Sequence, residues 1–151
     1  MKIGTIICRT ALALCLSYAA FAQETKVDEK DVPAKARAAA TKAYPKAQIK
    51  EWEKVVEDGK TTYEVTMTDG SASWQVVFEG NGKFVAREEV IPVASLPAAV
   101  RNAVTAKYPG ATLSSAEKIT GPKKTEYEVG LKNAAKKEIV LASDGKILKE
   151  E

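Results

Sequence analysis

The chain has 151 residues, of which 45% are hydrophobic and 28% charged, with a formal net charge of +3. That balance excludes a disordered polar chain and a membrane-embedded one, and the length fits one domain or two small repeats sharing a core. There is no histidine, so the commonest general base, the histidine-containing triads and the commonest metal ligand are all missing.

Residues 1–22 read as a secretory signal peptide. Lys2 and Arg9 supply positive charge, an apolar run follows from Thr10, and Ala20-Phe21-Ala22 gives the small-x-small cleavage pattern. The apolar run, about eleven residues, is too short for a permanent membrane span. Lipid attachment at Cys15 is disfavoured because Leu14 is not the small residue such a site wants. Cleavage after Ala22 removes both cysteines, Cys8 and Cys15, together with two basic residues. The remaining 129 residues carry 21 basic and 20 acidic side chains, a net charge of +1. A disulfide framework, a cysteine nucleophile and a Cys/His zinc site are then excluded, and a basic nucleic-acid face is not expected. The protein is expected in the periplasm or secreted. Residues 23–31 (QETKVDEKD) are polar throughout and predict a flexible leader with no fold of its own.

Beyond the leader the chain repeats itself at an offset of about 64 residues. Pro33 matches Pro97, Arg37 matches Arg101, Tyr44-Pro45 matches Tyr108-Pro109, Glu53-Lys54 matches Glu117-Lys118, and Tyr63-Glu64-Val65 matches Tyr127-Glu128-Val129. One deletion later, Gly82-Lys83 matches Gly145-Lys146. This is an internal duplication with repeats at 32–91 and 96–151, joined by a connector at 92–95. The connector is short, which favours halves packed side by side.

Each repeat opens with a helix, Pro33–Ala43 and Pro97–Lys107. Proline is tolerated in the first turn, and Asp31 and Ser95 are candidate caps. Leu96, Val100, Ala103 and Val104 form an apolar stripe on the second helix, whereas the first presents Ala36, Ala39, Ala40 and Ala43. Both helices must stop before Tyr-Pro, since the residue preceding proline is driven out of the α region. The period then changes to two, predicting strands near 47–56, 61–68, 73–79 and 83–90, then 111–120, 124–132, 136–142 and 146–150. Turn signals separate them at Asp58-Gly59, Asp69-Gly70, Asn81-Gly82, Gly121-Pro122 and Asp144-Gly145. The fold class is therefore α+β: two tandem α-β-β-β-β repeats forming one antiparallel sheet, with two helices on one face and the other face wet. Glu53 and Glu117 break the alternation of the first strand in each repeat. Either a bulge resets the parity, or Glu53 pairs with Arg37 and Glu117 with Arg101.

A secreted α-β-β-β-β duplication in which Tyr-Pro closes each helix resembles the PepSY-like family, also described as β-lactamase-inhibitor-like. The resemblance is carried by Leu96-Pro97, by Ala106-Lys107-Tyr108-Pro109-Gly110-Ala111, by the weaker Val32-Pro33 with Ala43-Tyr44-Pro45-Lys46-Ala47, and by Tyr63-Glu64-Val65 and Tyr127-Glu128-Val129. It spans nearly all of the chain beyond the signal. It implies a periplasmic, non-enzymatic protein with two repeats in one curved sheet, and no catalytic residues to transfer. In the β-lactamase-inhibitor protein the concave sheet face grips an enzyme.

The residues themselves point the same way. No serine lies in a nucleophile elbow, and the Asp-Gly turns hold too few carboxylates for a calcium loop. No catalytic, cofactor or metal-binding residue is expected. A glycosidase would need a pair of flanking carboxylates, and the sequence assigns none. The expected function is binding, with another envelope protein as partner, no nucleic acid and no stable membrane insertion. Inhibition or regulation of a periplasmic peptidase is one form of it; a structural envelope module and a small-molecule-binding protein are the alternatives. Parity places Lys50, Trp52, Thr62, Glu64, Arg87 and Glu128 on the open face as candidate contacts, with Lys118, Glu126 and Lys132 beside them. Trp52 is either the aromatic anchor of that face or a cover for the gap between repeats. Trp74 shares parity with Val76 and Phe78 and belongs to the core.

Overall fold

The computed structural model describes residues 23–57 and 59–150. The signal-peptide reading of 1–22 and the Asp58 half of the Asp58-Gly59 turn lie outside the described residues. Nine strands form one sheet in sequential order, β1 through β9, and every neighbouring pair is antiparallel. The strands are β1 Gln23–Val27, β2 Gln48–Glu57, β3 Lys60–Asp69, β4 Ala72–Glu79, β5 Phe84–Val90, β6 Thr112–Thr120, β7 Thr125–Lys132, β8 Glu138–Ala142 and β9 Ile147–Glu150. Helix α1 (Ala34–Ala43) lies between β1 and β2, and helix α2 (Ala98–Lys107) between β5 and β6. The α+β class, the single antiparallel sheet and the two helices agree with the sequence reading.

Both helices end as the Tyr-Pro rule requires. Tyr44 and Tyr108 leave the helical region at φ −133° and −124°, while their N–H groups still bond to Ala40 and Val104. The starts differ from expectation. Pro33 and Pro97 are themselves the N-caps, with no side-chain cap bond, and their carbonyls accept from Arg37 and Arg101. Asp31 and Ser95 instead close one-turn 3-10 helices at Glu29–Asp31 and Val93–Ser95.

Two hydrophobic clusters line the helix side of the sheet. Under α1, Val32, Ala36 and Ala40 pack with Trp52, Val65, Met67, Trp74, Val76 and Phe78. Under α2, Leu96, Val100 and Val104 pack with Ala116, Val129, Leu131, Ile139 and Leu141. Gly82 and Gly145 seat the turns after β4 and β8 against these helices. Both have positive φ, and a Cβ on either would meet a helix carbonyl oxygen, of Lys35 or Ala99, at 2.6 Å.

The polar segment 23–31 is not a flexible leader. Gln23–Val27 is a strand paired along β2, and the next residues form the first 3-10 turn. A strand on the sheet edge needs only one apolar contact residue here, Val27, which packs on the first cluster. Its pairing reproduces that of β5 on β6 at the same offset of 64. Glu24 faces Val55 as Glu88 faces Ile119, and Lys26 faces Glu53 as Val90 faces Glu117.

Candidate functional site

Residues paired across antiparallel strands share a face, so the register sorts every strand residue into a helix side and an open side. Bulges decide the parity of β2 and β6. The register slips between Ile49 and Glu51, and at the duplicated place between Leu113 and Ser115. Lys50 is the unpaired residue of the first bulge. The slip lets Ile49 and Trp52, three residues apart, both face α1. The bulge also settles the Glu53 and Glu117 problem, since both point to the open side. Arg37 and Arg101 bond instead to backbone carbonyls, of Val32 and of Ala94 and Leu96.

The six candidate contacts therefore separate. Trp52 is 3% exposed in the first core cluster, so it is not an open-face anchor. Arg87 is also on the helix side, because it pairs with Val76. Its guanidinium carbon lies 4.9 Å from the Trp74 ring centre and 5.7 Å from that of Tyr44, and it bridges to Glu89 at 2.8 Å. Lys118 faces Glu89 and Tyr127 on that side too. Lys50 is exposed at the bulge and bonds to Gln48. Only Thr62, Glu64 and Glu128 of the six lie on the open side, where Glu126 joins them by pairing with Ile119. Among the described residues the face has no aromatic anchor, and lysines such as Lys26, Lys132 and Lys149 lie toward its margins.

What it presents is carboxylate. Glu53 stands opposite Glu64, and Glu117 opposite Glu128. Glu24 and Glu88 flank these pairs from β1 and β5. Glu64, Glu88, Glu117 and Glu128 are all buried, at 4–8% exposure. Buried on the same face are Val55, Val77, Ala86 and Ile119, which belong to neither helix-side cluster. Burial, then the charges of Glu53, Glu24 and Glu117, push the Glu64 carboxyl up to about 7. Burial, then Glu64, Glu117, Glu128 and Glu24, push Glu88 up to about 9. Glu24 and Glu88 lie four strands apart, about 19 Å in a flat sheet. Glu24 is nonetheless among the charges that raise the Glu88 carboxyl, the weakest of the four. Oε1 of Glu88 has no hydrogen-bond partner among the described residues. Among those residues no group of three or more His, Cys, Asp or Glu side chains could hold a metal ion.

Sequence reasoning named Glu64 and Glu128 but missed Glu24, Glu53, Glu88 and Glu117 as one set. The signal was present, since 24/88, 53/117 and 64/128 are all glutamate pairs at the same offset. It is hard to read because β1 lies outside the repeat as its hydrophobic pattern delimits it, and because the bulge that turns Glu53 to the open side has no local marker.

The sheet with two helices on one side has counterparts among known proteins. The family model described as "Putative beta-lactamase-inhibitor-like, PepSY-like" matches residues 61–149, more than half of the chain. The chain belongs to the PepSY-like family. A second family model, "Peptidase propeptide and YPEB domain", matches residues 33–85. No curated protein matches in sequence. Among solved structures, a DUF2874 family protein from Bacteroides uniformis is 25% identical, with a TM-score of 0.65 over 79% of this chain and 88% of its own. A BLIP-like protein from Bacteroides fragilis is 24% identical, with a TM-score of 0.60 over 78% and 83%. A protein described as one of the "putative periplasmic proteins" of Bacteroides eggerthii is 20% identical, with a TM-score of 0.65 over 80% and 88%. No helix among the described residues is long and apolar enough to cross a membrane.

Proposed function

We propose that this PepSY-like protein is a non-enzymatic binding module of the bacterial periplasm that holds a protein partner on the open face of its sheet. The observation that carries the reading is the open face itself: carboxylates buried at a cost to stability, on the side no helix of the described residues covers. Burying such groups costs a fold stability, a cost that a bound partner offsets. The similar structures support the reading, one described as BLIP-like and one as periplasmic. Control of an envelope enzyme, a peptidase included, is the form of binding the family name suggests.

Site-specific photocrosslinking in the native envelope tests it. A photoreactive residue at Thr62 or Gln75, both on the open side, should yield discrete protein adducts, and one at Lys42 on the exposed surface of α1 should not. Adducts from Lys42 alone, or from no position, would remove the reading. One observation favours a rival. Opposed carboxyls such as Glu53 and Glu64, with Glu64 held near 7, supply the two residue types that acid–base glycoside hydrolysis uses. Glycan turnover lost in Glu64→Gln would establish the hydrolase instead.

A further inference from the structure

We infer that the carboxylate cluster of the open face is a receptor for one cationic side chain, an arginine or lysine projecting from the docked protein. The inference rests on the open face being the docking surface. Three glutamates from each half share that side of the sheet, Glu24, Glu53 and Glu64 with Glu88, Glu117 and Glu128. Glu88 is at the centre of this group. It is 4% exposed, one carboxyl oxygen lacks any hydrogen-bond partner among the described residues, and the charges that act on it most strongly are all carboxylates. A neutral donor could satisfy that oxygen, but only a cation would also offset the surrounding carboxylates.

The surroundings select the kind of cation. Val55, Val77, Ala86 and Ile119 lie buried on the same face beside the carboxylates. They suit an aliphatic stem that ends in a charge, the construction of arginine and lysine side chains. Carboxylates on neighbouring strands also match the fork of a guanidinium, which takes two acceptors at once. The absence of a metal-holding geometry among the described residues argues against a bare divalent ion.

The groups that face Glu88 across the open side are Glu24 on β1, Glu53 on β2, Glu64 on β3, Gln75 on β4, Glu117 on β6 and Glu126 and Glu128 on β7. Lys26 on β1, bridged to Glu51, Lys60 on β3, Lys124, bridged to Glu126 at 2.6 Å, Lys132 on β7 and Lys149 on β9 share this side toward its margins. Glu88 keeps its proton at neutral pH in the unoccupied protein, so pairing with a cation must expel that proton.

The probe is a capped peptide, Gly-Gly-Arg-Gly-Gly, compared with the same peptide carrying citrulline, whose side chain has nearly the same shape and no charge. NMR titration of the protein should show binding of the arginine peptide at least about tenfold tighter than that of the citrulline peptide. The carboxyl carbon of Glu88 should titrate at lower pH with the arginine peptide present. Glu88→Gln, which keeps the shape of the side chain and removes a charge, should abolish the preference while the thermal melt stays cooperative. Equal binding of the two peptides, or a preference that survives the double variant Glu64→Gln/Glu88→Gln, overturns the inference. Spermidine binding more tightly than the arginine peptide overturns it as well, in favour of a free polyamine. Thr62 photoadducts of unchanged yield in Glu88→Gln would sink the cation receptor and leave the docking face standing. Absence of those adducts from the wild type would sink the docking face, whatever the peptides do.

Discussion

The two halves of the molecule solve the same packing problem with opposite choices of residue. In the first, the helix offers Ala36 and Ala40 and the sheet supplies Trp52. In the second, the helix offers Val100 and Val104, and the position equivalent to Trp52 is Ala116. Bulk has moved from helix to sheet, with the space between them still filled. The helix-end tyrosines show the same freedom. Tyr44 stacks against Trp74 and beneath Arg87, whereas Tyr108 donates its hydroxyl to Glu150, the residue in the place of Arg87. On the open side three glutamate pairs are retained, although Lys26 corresponds to Val90 and Thr62 to Glu126. Packing tolerates exchange as long as volume is kept, whereas the buried carboxylates recur without a packing reason.

The largest test of this contrast is Trp52→Ala. It should destabilise the protein by about 3–5 kcal/mol in urea unfolding, because alanine helix neighbours cannot collapse into the cavity. Binding at the open face should be unchanged under conditions where the variant remains folded. Val104→Ala, the matching loss from the other half, should cost about 2 kcal/mol. Ala40→Val should cost about 1–3 kcal/mol alone by overpacking, and less in a Trp52→Ala background. Additive costs would mean that the helix and sheet residues do not share one space.

The open side predicts an unusual pH dependence. Glu64 and Glu88 titrate at about 7 and about 9 in the folded protein, above the ordinary carboxylate value of 4.5. Between those limits the folded state binds more protons than the unfolded state, so stability falls as pH rises. The slope is at most about 1.4 kcal/mol per pH unit for each retained proton. The melting temperature should therefore drop between pH 5.5 and pH 8, and Glu88→Gln should flatten the curve. A melting temperature that rises over that range would place Glu88 in water. The smallest effect is expected at Arg87→Ala, below about 1 kcal/mol, since the cation–ring contact is partly exposed. Tyr108→Phe should be comparably mild, a slight lowering of the melting temperature through loss of the bond to Glu150.

Much of the fold was legible in the chain. Tyr-Pro ended both helices, period-two alternation marked the strands, and the glycine turns separated them, because these are local steric and burial effects. The bulge at Lys50 was legible only as a conflict. Its position depends on which of Ile49, Trp52 and Glu53 the helices demand, and that demand comes from residues distant in sequence. Strand β1 was hidden because an edge strand buries little, so QETKV carries almost no hydrophobic pattern. The site was half legible for the same reason. Alternation put Glu64 on the open face, but without the bulge at Lys50 it put Trp52 beside it, and without the separate register shift between β4 and β5 it put Arg87 there too.

Strand β5 pairs with β4 on one side and β6 on the other, and it stands to β6 as β1 stands to β2. It is at once the last strand of one unit and the first of the next. Cutting the chain within residues 92–95 would therefore leave the C-terminal piece without the strand that borders β6, and would bare the edge of β6 to solvent and to other chains. The two halves are hinged through a common member, and should lose their structure in one cooperative event. The same register also leaves β9 open at the far margin, where a further 64-residue unit could be spliced on with no new kind of contact.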